Sequence, residues 1–476
     1  MTAFLVLALL QPAKMAEAIE KADLGAARAA IAATVAKDDA ASARALLGAF
    51  PKLRDRFRLM DRALADARKA LYRYETQPAI TAADRKEQKE GIEAAKTRLK
   101  AVAAMMRETE DIHNAVRAAF RSLKSDEALA AVGDEMEKSA FWLARCEMAE
   151  ALGTMSQADG ERRLRERLAR EKEPTVAAAI IDALGAKGTL EASTVAAVAE
   201  QLTSKGWTVQ MTVARALAAS GAKEGVGPLV EAVQKTDGRI RNEMLAALRT
   251  LTRTDMGGDV GEWASWWKAN KDDFLAGTYR PDKPKREPGP SRTTFFEVPV
   301  ISRRIVLVVD RSRSMRDPLG KGPTRKIDAV RAEIKALLTA LPDGTRFNLI
   351  FFNDETAEFA QSTRVLDARV RQAAIDWTWR MDPDGPTNLH DALDKAAALV
   401  GSSETGLLRE EGVDTLFVLS DGEPTTGPIV DPDVIVKRFT RENRWMRAAV
   451  YTVAVGDVGT LMSRLAEFND GTSTQK

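Results

Sequence analysis

An aspartate and two serines alternate in "DRSRSM": Asp310, Ser312 and Ser314, directly after the apolar run Ile305 to Val309. Two later segments carry the same hard-oxygen chemistry, Thr387 in "DPDGPTNL" and Asp421 in "LSDGEPTTG". Together they offer two carboxylates and three hydroxyls. Two negative charges balance a divalent cation, and oxygen ligands of this kind suit hard ions with octahedral preference, so Mg²⁺ is favoured, with Mn²⁺ or Ca²⁺ as alternatives. Five protein oxygens, some acting through water, leave a coordination position that an outside carboxylate can fill. The competing reading is that these Asp, Ser and Thr residues only cap helices and turns.

The elements around them decide between the two. "RRIVLVVD", "TRFNLIFFN", "DTLFVLSD" and "AAVYTVAVG" are near-continuous apolar runs, separated by the helical stretches "RKIDAVRAEIKALLTAL", "NLHDALDKAAALV" and "PDVIVKRFTREN". That alternation predicts a mainly parallel sheet covered on both faces, with "AEFAQSTRV" as an antiparallel edge strand. In such a doubly wound α/β sheet, ligands collect outside the carboxyl ends of the strands, where strand order reverses. Asp310 and Asp421 each end a predicted strand, and Thr387 opens a predicted helix.

On these motifs, residues 298–476 resemble a von Willebrand factor A (vWA) domain. "DRSRSM" is similar to that family's D-x-S-x-S, "GPTN" to its threonine loop and "SDGEPT" to its second aspartate loop. The resemblance implies a Rossmann-like fold and a metal-ion-dependent adhesion site with Asp310, Ser312, Ser314, Thr387 and Asp421 as metal ligands, direct or through water. It also implies a protein partner that presents an Asp or Glu to the metal. The pattern departs from the family at Arg313, where glycine is common, and at Pro386, which replaces a second glycine. Arg311, Arg313 and Arg316 either steer anionic partners, shield the open position, or pair with Asp317 and neighbouring acids. The chain after "FNDGTSTQK" implies a short last strand and a final helix that is missing or replaced by packing on the N-terminal half.

That half reads as all-α. Residues 19–125 hold amphipathic segments, among them "FRLMDRALADARKALYRYE" and "IEAAKTRLKAVAAMMRETEDIHNAVRAAF", joined through "TQPAITAADRKE" into a predicted helical hairpin. Over 126–275 a short motif recurs: "EALG" at Ala151, "DALG" at Ala183, "RALA" at Ala216 and "AALR" at Ala247, every 31 to 33 residues. Such a period marks an α-solenoid similar to HEAT repeats, and resembles bacterial proteins that join repeats to a vWA domain. Trp263, Trp266 and Trp267 share one helix face, read as a hydrophobic cap on the last repeat. Residues 276–297 are a proline-rich basic linker. The fold class is therefore multidomain: an all-α helical hairpin and solenoid followed by an α/β doubly wound domain.

Residues 1–18 have two readings: a signal peptide with an A-x-A-like site at Ala16 and Ala18, or a first helix packed on the domain behind it. The first implies export to a periplasm or cell surface, the second leaves a cytoplasmic location open. No later stretch approaches the roughly 18 apolar residues of a membrane span.

Composition narrows the function. Lys and Arg number 71 and Asp and Glu 69, a net charge of +2, which argues against a nucleic-acid partner. A single cysteine, Cys146, excludes an internal disulfide and a cysteine-rich zinc site, and two histidines, His113 and His390, exclude schemes needing several imidazoles. His390 is read as a helix-surface or second-layer residue, not a base. Of Trp377 and Trp379, one is a candidate exposed anchor, though core filling is the readier reading. The leading function is non-enzymatic, cation-dependent protein binding on a helical scaffold, the solenoid offering a second contact surface. The alternative, which the family resemblance implies, is an adaptor for an AAA+ ATPase or chelatase; no G-x-x-x-x-G-K-[ST] loop occurs in this chain, so that ATPase would be a separate one. A Mg²⁺-dependent hydrolase ranks third, because the acid–base set is thin.

Overall fold

Apolar residues at three- and four-residue spacing make helices of the elements described before the linker. The computed structural model describes residues 14–21, 23–155, 158–281, 293–401, 409, 411–456 and 460–476. The apolar stretch Ala3 to Leu10 and most of the predicted linker lie outside the described residues. Residues 14–21 are helical and bury Met15, Ala18 and Ile19 in the α-helical core. Among the described residues no helix is long and apolar enough to cross a membrane.

The hairpin consists of Ala49–Thr76 and the 40-residue Ala82–Arg121. Its second helix starts at a capping box: Thr81 accepts from the Asp84 N–H at 3.1 Å, and the Asp84 carboxylate accepts from the Thr81 N–H at 2.8 Å. Four helix pairs follow: Asp126–Lys138 with Trp142–Thr154, Ala158–Leu168 with Pro174–Ala186, Ala192–Glu200 with Trp207–Ser220, and Val226–Val233 with Gly238–Thr252. The recurring motif lies on the second helix of each pair. Its glycines set the stacking distance. A Cβ on Gly153 would lie 2.8 Å from the Ala183 Cβ, and one on Gly185 would lie 2.8 Å from the Ala216 Cα. Val260–Ala276 closes the array, with Trp263 and Trp266 buried and Trp267 packed partly against the core, as the cap reading predicts.

Beyond the linker the described residues form nine strands: β1 Thr294–Phe295, β2 Val298–Pro299, β3 Arg304–Asp310, β4 Arg346–Phe352, β5 Thr356–Glu358, β6 Arg364–Val365, β7 Thr415–Ser420, β8 Ala449–Ala454 and β9 Ser473–Gln475. β1 and β2 pair with each other; the main sheet runs β5-β4-β3-β7-β8-β9, with β6 also on β4. β4, β3, β7, β8 and β9 are mutually parallel, whereas β5 and β6, the two halves of the predicted edge strand, run antiparallel to β4. Chain order reverses at β3, which has β4 on one side and β7 on the other, so the carboxyl ends of β3 and β7 flank the switch point.

Period-2 alternation divides β3 between two cores. Ile305, Leu307 and Val309 face the layer of Lys326–Ala340 and Ala368–Trp379. Val306 and Val308 face Leu389–Val400, Pro432–Met446 and Leu461–Glu467, in a core continuous with that of the solenoid. As expected, the last strand β9 is short; the helix Leu461–Glu467 precedes it and packs on β8, its Met462 carbonyl accepting from the Thr452 hydroxyl at 2.9 Å.

The two halves meet along charged residues. Arg441 donates to Glu110 at 2.7 Å and Lys437 to Asp111 at 2.9 Å, both on the second hairpin helix. Arg444 reaches Glu150 at 2.5 Å, Arg447 reaches Asp182, and Arg215 reaches Asp470 at 2.8 Å. Buried Arg239, on the last repeat, donates to the carbonyls of Asp414 at 2.8 Å and Arg447 at 2.9 Å, just ahead of β7 and β8. The solenoid face carrying Glu150, Asp182 and Arg215 is thus occupied by the chain's own α/β domain. The second contact surface expected on the solenoid is not available on this face.

Candidate metal centre

β3 ends with Asp310 fully buried, because the last inward position of an interior strand receives a carboxylate where an aliphatic side chain would otherwise sit. Its Oδ1 accepts from the Ser312 N–H at 2.7 Å and its Oδ2 from the Ser420 hydroxyl at 2.6 Å. Burial pushes the Asp310 carboxyl up to about 6, offset in part by the hydrogen bonds from Ser420 and Ser312, with the Asp421 charge adding to the rise.

The chain then turns through a short 3₁₀ segment, Arg313–Arg316, which brings the two serines round to β7. The Ser312 and Ser314 hydroxyls lie 3.1 Å apart, and Ser314 donates to Asp421 Oδ1 at 2.8 Å. Asp421 Oδ2 accepts from Lys326 Nζ at 2.7 Å. Four of the five expected ligands are therefore joined in one hydrogen-bonded chain: Asp310, Ser312, Ser314 and Asp421.

Thr387 joins the cluster through its backbone. Its N–H donates to the Thr425 hydroxyl at 2.9 Å, and its carbonyl accepts from the N–H groups of Thr425 at 2.9 Å and Thr426 at 3.2 Å. The threonine loop is thereby tied to the loop of Asp421. It is tied to the first loop as well, since the Arg313 N–H donates to the Gly385 carbonyl at 2.9 Å. Gly385 has φ 72°, and a Cβ there would lie 2.7 Å from Asp354 Oδ1, so this position requires glycine whatever Pro386 does to the next.

The donor set fits a hard divalent cation. Two carboxylates and two serine hydroxyls converge at a buried sheet edge, where burial first and the neighbouring Asp421 charge second raise Asp310. Among the described residues, no group of three or more His, Cys, Asp or Glu side chains is placed to hold a metal, so the fit here depends on hydroxyls as well as carboxylates.

Of the flanking arginines, Arg313 and Arg316 lie 3.7 and 3.6 Å from Asp384, a neighbouring acid other than Asp317, and Arg311 donates to Asn353 Oδ1 at 3.1 Å. Of the two readings of His390, helix surface or second layer, burial removes the first: His390 is buried, with Nε2 accepting from Arg438 at 2.7 Å. A guanidinium can only donate, so Nδ1 carries the proton and donates to Asp391 Oδ1 at 3.1 Å. Asp391 also pairs with Arg68 of the hairpin at 2.6 Å, which ties the helix after Thr387 to the all-α half. Trp377 packs on Phe351 and Phe359, while Trp379 stays half-exposed against Arg331.

Sequence reasoning passed over Ser420 and Lys326. Ser420 was within reach, as the residue before Asp421 at the end of a predicted strand. Lys326 carries no local signal: it opens a helix 95 residues from the aspartate it meets.

The von Willebrand factor type A domain model matches residues 305–470, and the HEAT repeats model matches residues 161–249. Mouse inter alpha-trypsin inhibitor, heavy chain 4 is 29% identical over 139 residues, 29% of this chain and 14% of that protein. The human inter-alpha-trypsin inhibitor heavy chain H4 is 31% identical over 126 residues, 26% of this chain and 13% of that protein. The matched stretch is thus a small part of those relatives' own length. Among solved structures, a von Willebrand factor type A protein from Catenulispora acidiphila is 18% identical, covering 37% of this chain and 39% of that one, with a TM-score of 0.29. The RO (RSR) protein of Deinococcus radiodurans is 14% identical, covering 96% of this chain and 92% of that one, with a TM-score of 0.22. This chain carries a von Willebrand factor type A domain over residues 305–470 and HEAT repeats over residues 161–249.

Proposed function

We propose that the protein is a non-enzymatic scaffold whose α/β domain binds a partner protein through a divalent cation, Mg²⁺ in preference to Mn²⁺ or Ca²⁺. A protein-interaction role is supported by the von Willebrand factor type A domain itself. The observation that carries the finer reading is the hydrogen-bonded chain from Ser312 through Ser314 to Asp421, beside buried Asp310.

In this reading Asp310 and Asp421 supply the charge, Ser312 and Ser314 supply hydroxyl oxygens at fixed separation, and Thr387 adds a third hydroxyl from the neighbouring loop. When bound, the cation supplies an open position for an Asp or Glu of the partner. The surrounding residues exclude bulk water: Asp310, Ser312, Thr387 and Asp421 are all buried. Charge-assisted bonds are stronger in such surroundings than in water.

The test is selection of peptides from a random library on the immobilised full chain, in Mg²⁺ and in EDTA. The reading expects binders that need an Asp or Glu, are released by EDTA, and fail on Asp310→Ala. Binders that ignore the cation or lack a carboxylate would overturn it.

A further inference from the structure

Among the described residues, Lys326 is the one that brings a formal positive charge into contact with the acidic cluster. Its ammonium lies 2.7 Å from Asp421 Oδ2, with the lysine side chain 15% exposed and the aspartate side chain 0% exposed. The other cations nearby are engaged elsewhere. Arg313 and Arg316 extend into solvent beside Asp384, and Arg311 turns to Asn353. Lys326 is held in place from its own backbone, whose N–H donates to the Asp317 carbonyl at 2.9 Å as the helix Lys326–Ala340 begins.

The charges at this buried edge can be counted. Asp310 and Asp421 bring two negative charges when ionised, and Lys326 brings one positive. A divalent cation held by the cluster takes the sum to one positive charge, in a site where water is largely excluded and charges are weakly screened. One further carboxylate returns the sum to zero. Without the lysine, the cation alone would neutralise the two aspartates and the outside carboxylate would bring an excess negative charge.

We infer that Lys326 makes cation binding and carboxylate binding depend on each other: its ammonium weakens the hold on the cation alone and strengthens the hold on cation and carboxylate together. Lys326 is thus a positioning and specificity residue that acts through Asp421. It makes the site select a partner's carboxylate over an empty, cation-filled state. The inference rests on the proposed metal-dependent function, and it adds the residue that couples the two ligands.

The test is calorimetric titration of Mn²⁺ into the full chain, with chloride as the sole small anion and again with acetate added as the probe carboxylate. Wild type is expected to bind Mn²⁺ several-fold more tightly when acetate is present. Lys326→Met is expected to bind Mn²⁺ about ten-fold more tightly than wild type without acetate and to lose the acetate enhancement. Lys326→Arg keeps the charge and is expected to keep the wild-type enhancement, which separates loss of charge from local collapse. Equal Mn²⁺ affinity in wild type and Lys326→Met, or an acetate effect that survives in Lys326→Met, would overturn this inference and leave the metal site standing. Absence of Mn²⁺ binding in wild type, with or without acetate, would overturn both.

Discussion

Glu150 and Asp182 hold the same position in successive repeats, the residue before Ala-Leu in the recurring motif, and each accepts an arginine of the α/β domain: Arg444 at 2.5 Å and Arg447. The third repeat places Arg215 at that position and reverses the polarity, donating to Asp470 at 2.8 Å. One motif position therefore serves as a docking row. Arg444, Arg447 and Arg441 come from one helix and its cap, so the row fixes both the rotation and the register of the domain on the solenoid.

Two adjacent acids on the hairpin should differ sharply in importance. Glu110 is 1% exposed and pairs with Arg441, which also lies 3.8 Å from the Phe57 ring centre. Removing Glu110 leaves Arg441 with only the longer pair to Glu442 at 3.6 Å, so Glu110→Ala should cost about 3 kcal/mol. Asp111, whose pair with Lys437 is about a quarter exposed on each side, should cost less than about 1 kcal/mol on the same change. Urea unfolding of the full chain checks both, and equal losses would contradict the ranking.

The repeat glycines should tolerate no side chain. At Gly185 a Cβ would lie 2.8 Å from the Ala216 Cα, a backbone atom that cannot move without shifting its helix. Gly185→Val should therefore destabilise by about 1–3 kcal/mol through overpacking. Gly188, with nothing within 4 Å of its Cβ position but φ 78°, should lose stability on Gly188→Ala for a backbone reason alone. Thermal melts distinguish the two if Gly188→Ala costs less.

Stability should fall as pH rises through neutrality, and Glu147 is one cause. Burial pushes its carboxyl up to about 7, although Arg117 lies 3.0 Å away. The folded state thus keeps a proton that the unfolded chain releases near pH 4.5. This contribution is complete below that pH and is lost as pH rises through 7, at most about 3 kcal/mol. Glu147→Gln should flatten the profile between pH 5 and 8, with Arg117 still paired to Glu150 at 3.1 Å. Urea midpoints at pH 5, 6, 7 and 8 give the comparison. A wild-type profile no steeper than the variant's would contradict the assignment.

Local periodicity carried the fold a long way. The unbroken run Ile305 to Val309 could only be a strand covered on both faces, and its ending in Asp310 pointed to a sheet edge with chemistry. The recurrence at Ala151, Ala183 and Ala216 identified the solenoid. What sequence could not supply was the relationships between distant segments beyond the three loops of the motif. Lys326 meets Asp421 because a helix start happens to face a strand end. The row from Glu150 to Arg215 reads as repeat surface until Arg444 and Arg447 are placed against it. Sequence leaves His390 open between helix surface and second layer, because its burial comes from Arg438 and from the packing of the helix 432–446, neither adjacent in sequence. The helix Ala368–Trp379 carries a weak apolar face, which left Trp377 and Trp379 indistinguishable until Phe351 and Phe359 were found against the first.

The central claim is that Asp310, Ser312, Ser314, Thr387 and Asp421 hold one divalent cation, and its most direct test is titration of Mg²⁺ and Mn²⁺ into the full chain, wild type beside Asp310→Ala. The expected result is a single saturable site in wild type that Asp310→Ala abolishes while the thermal midpoint without metal stays within a few degrees. Saturable binding that survives in Asp310→Ala, or none in wild type at millimolar cation, would contradict it.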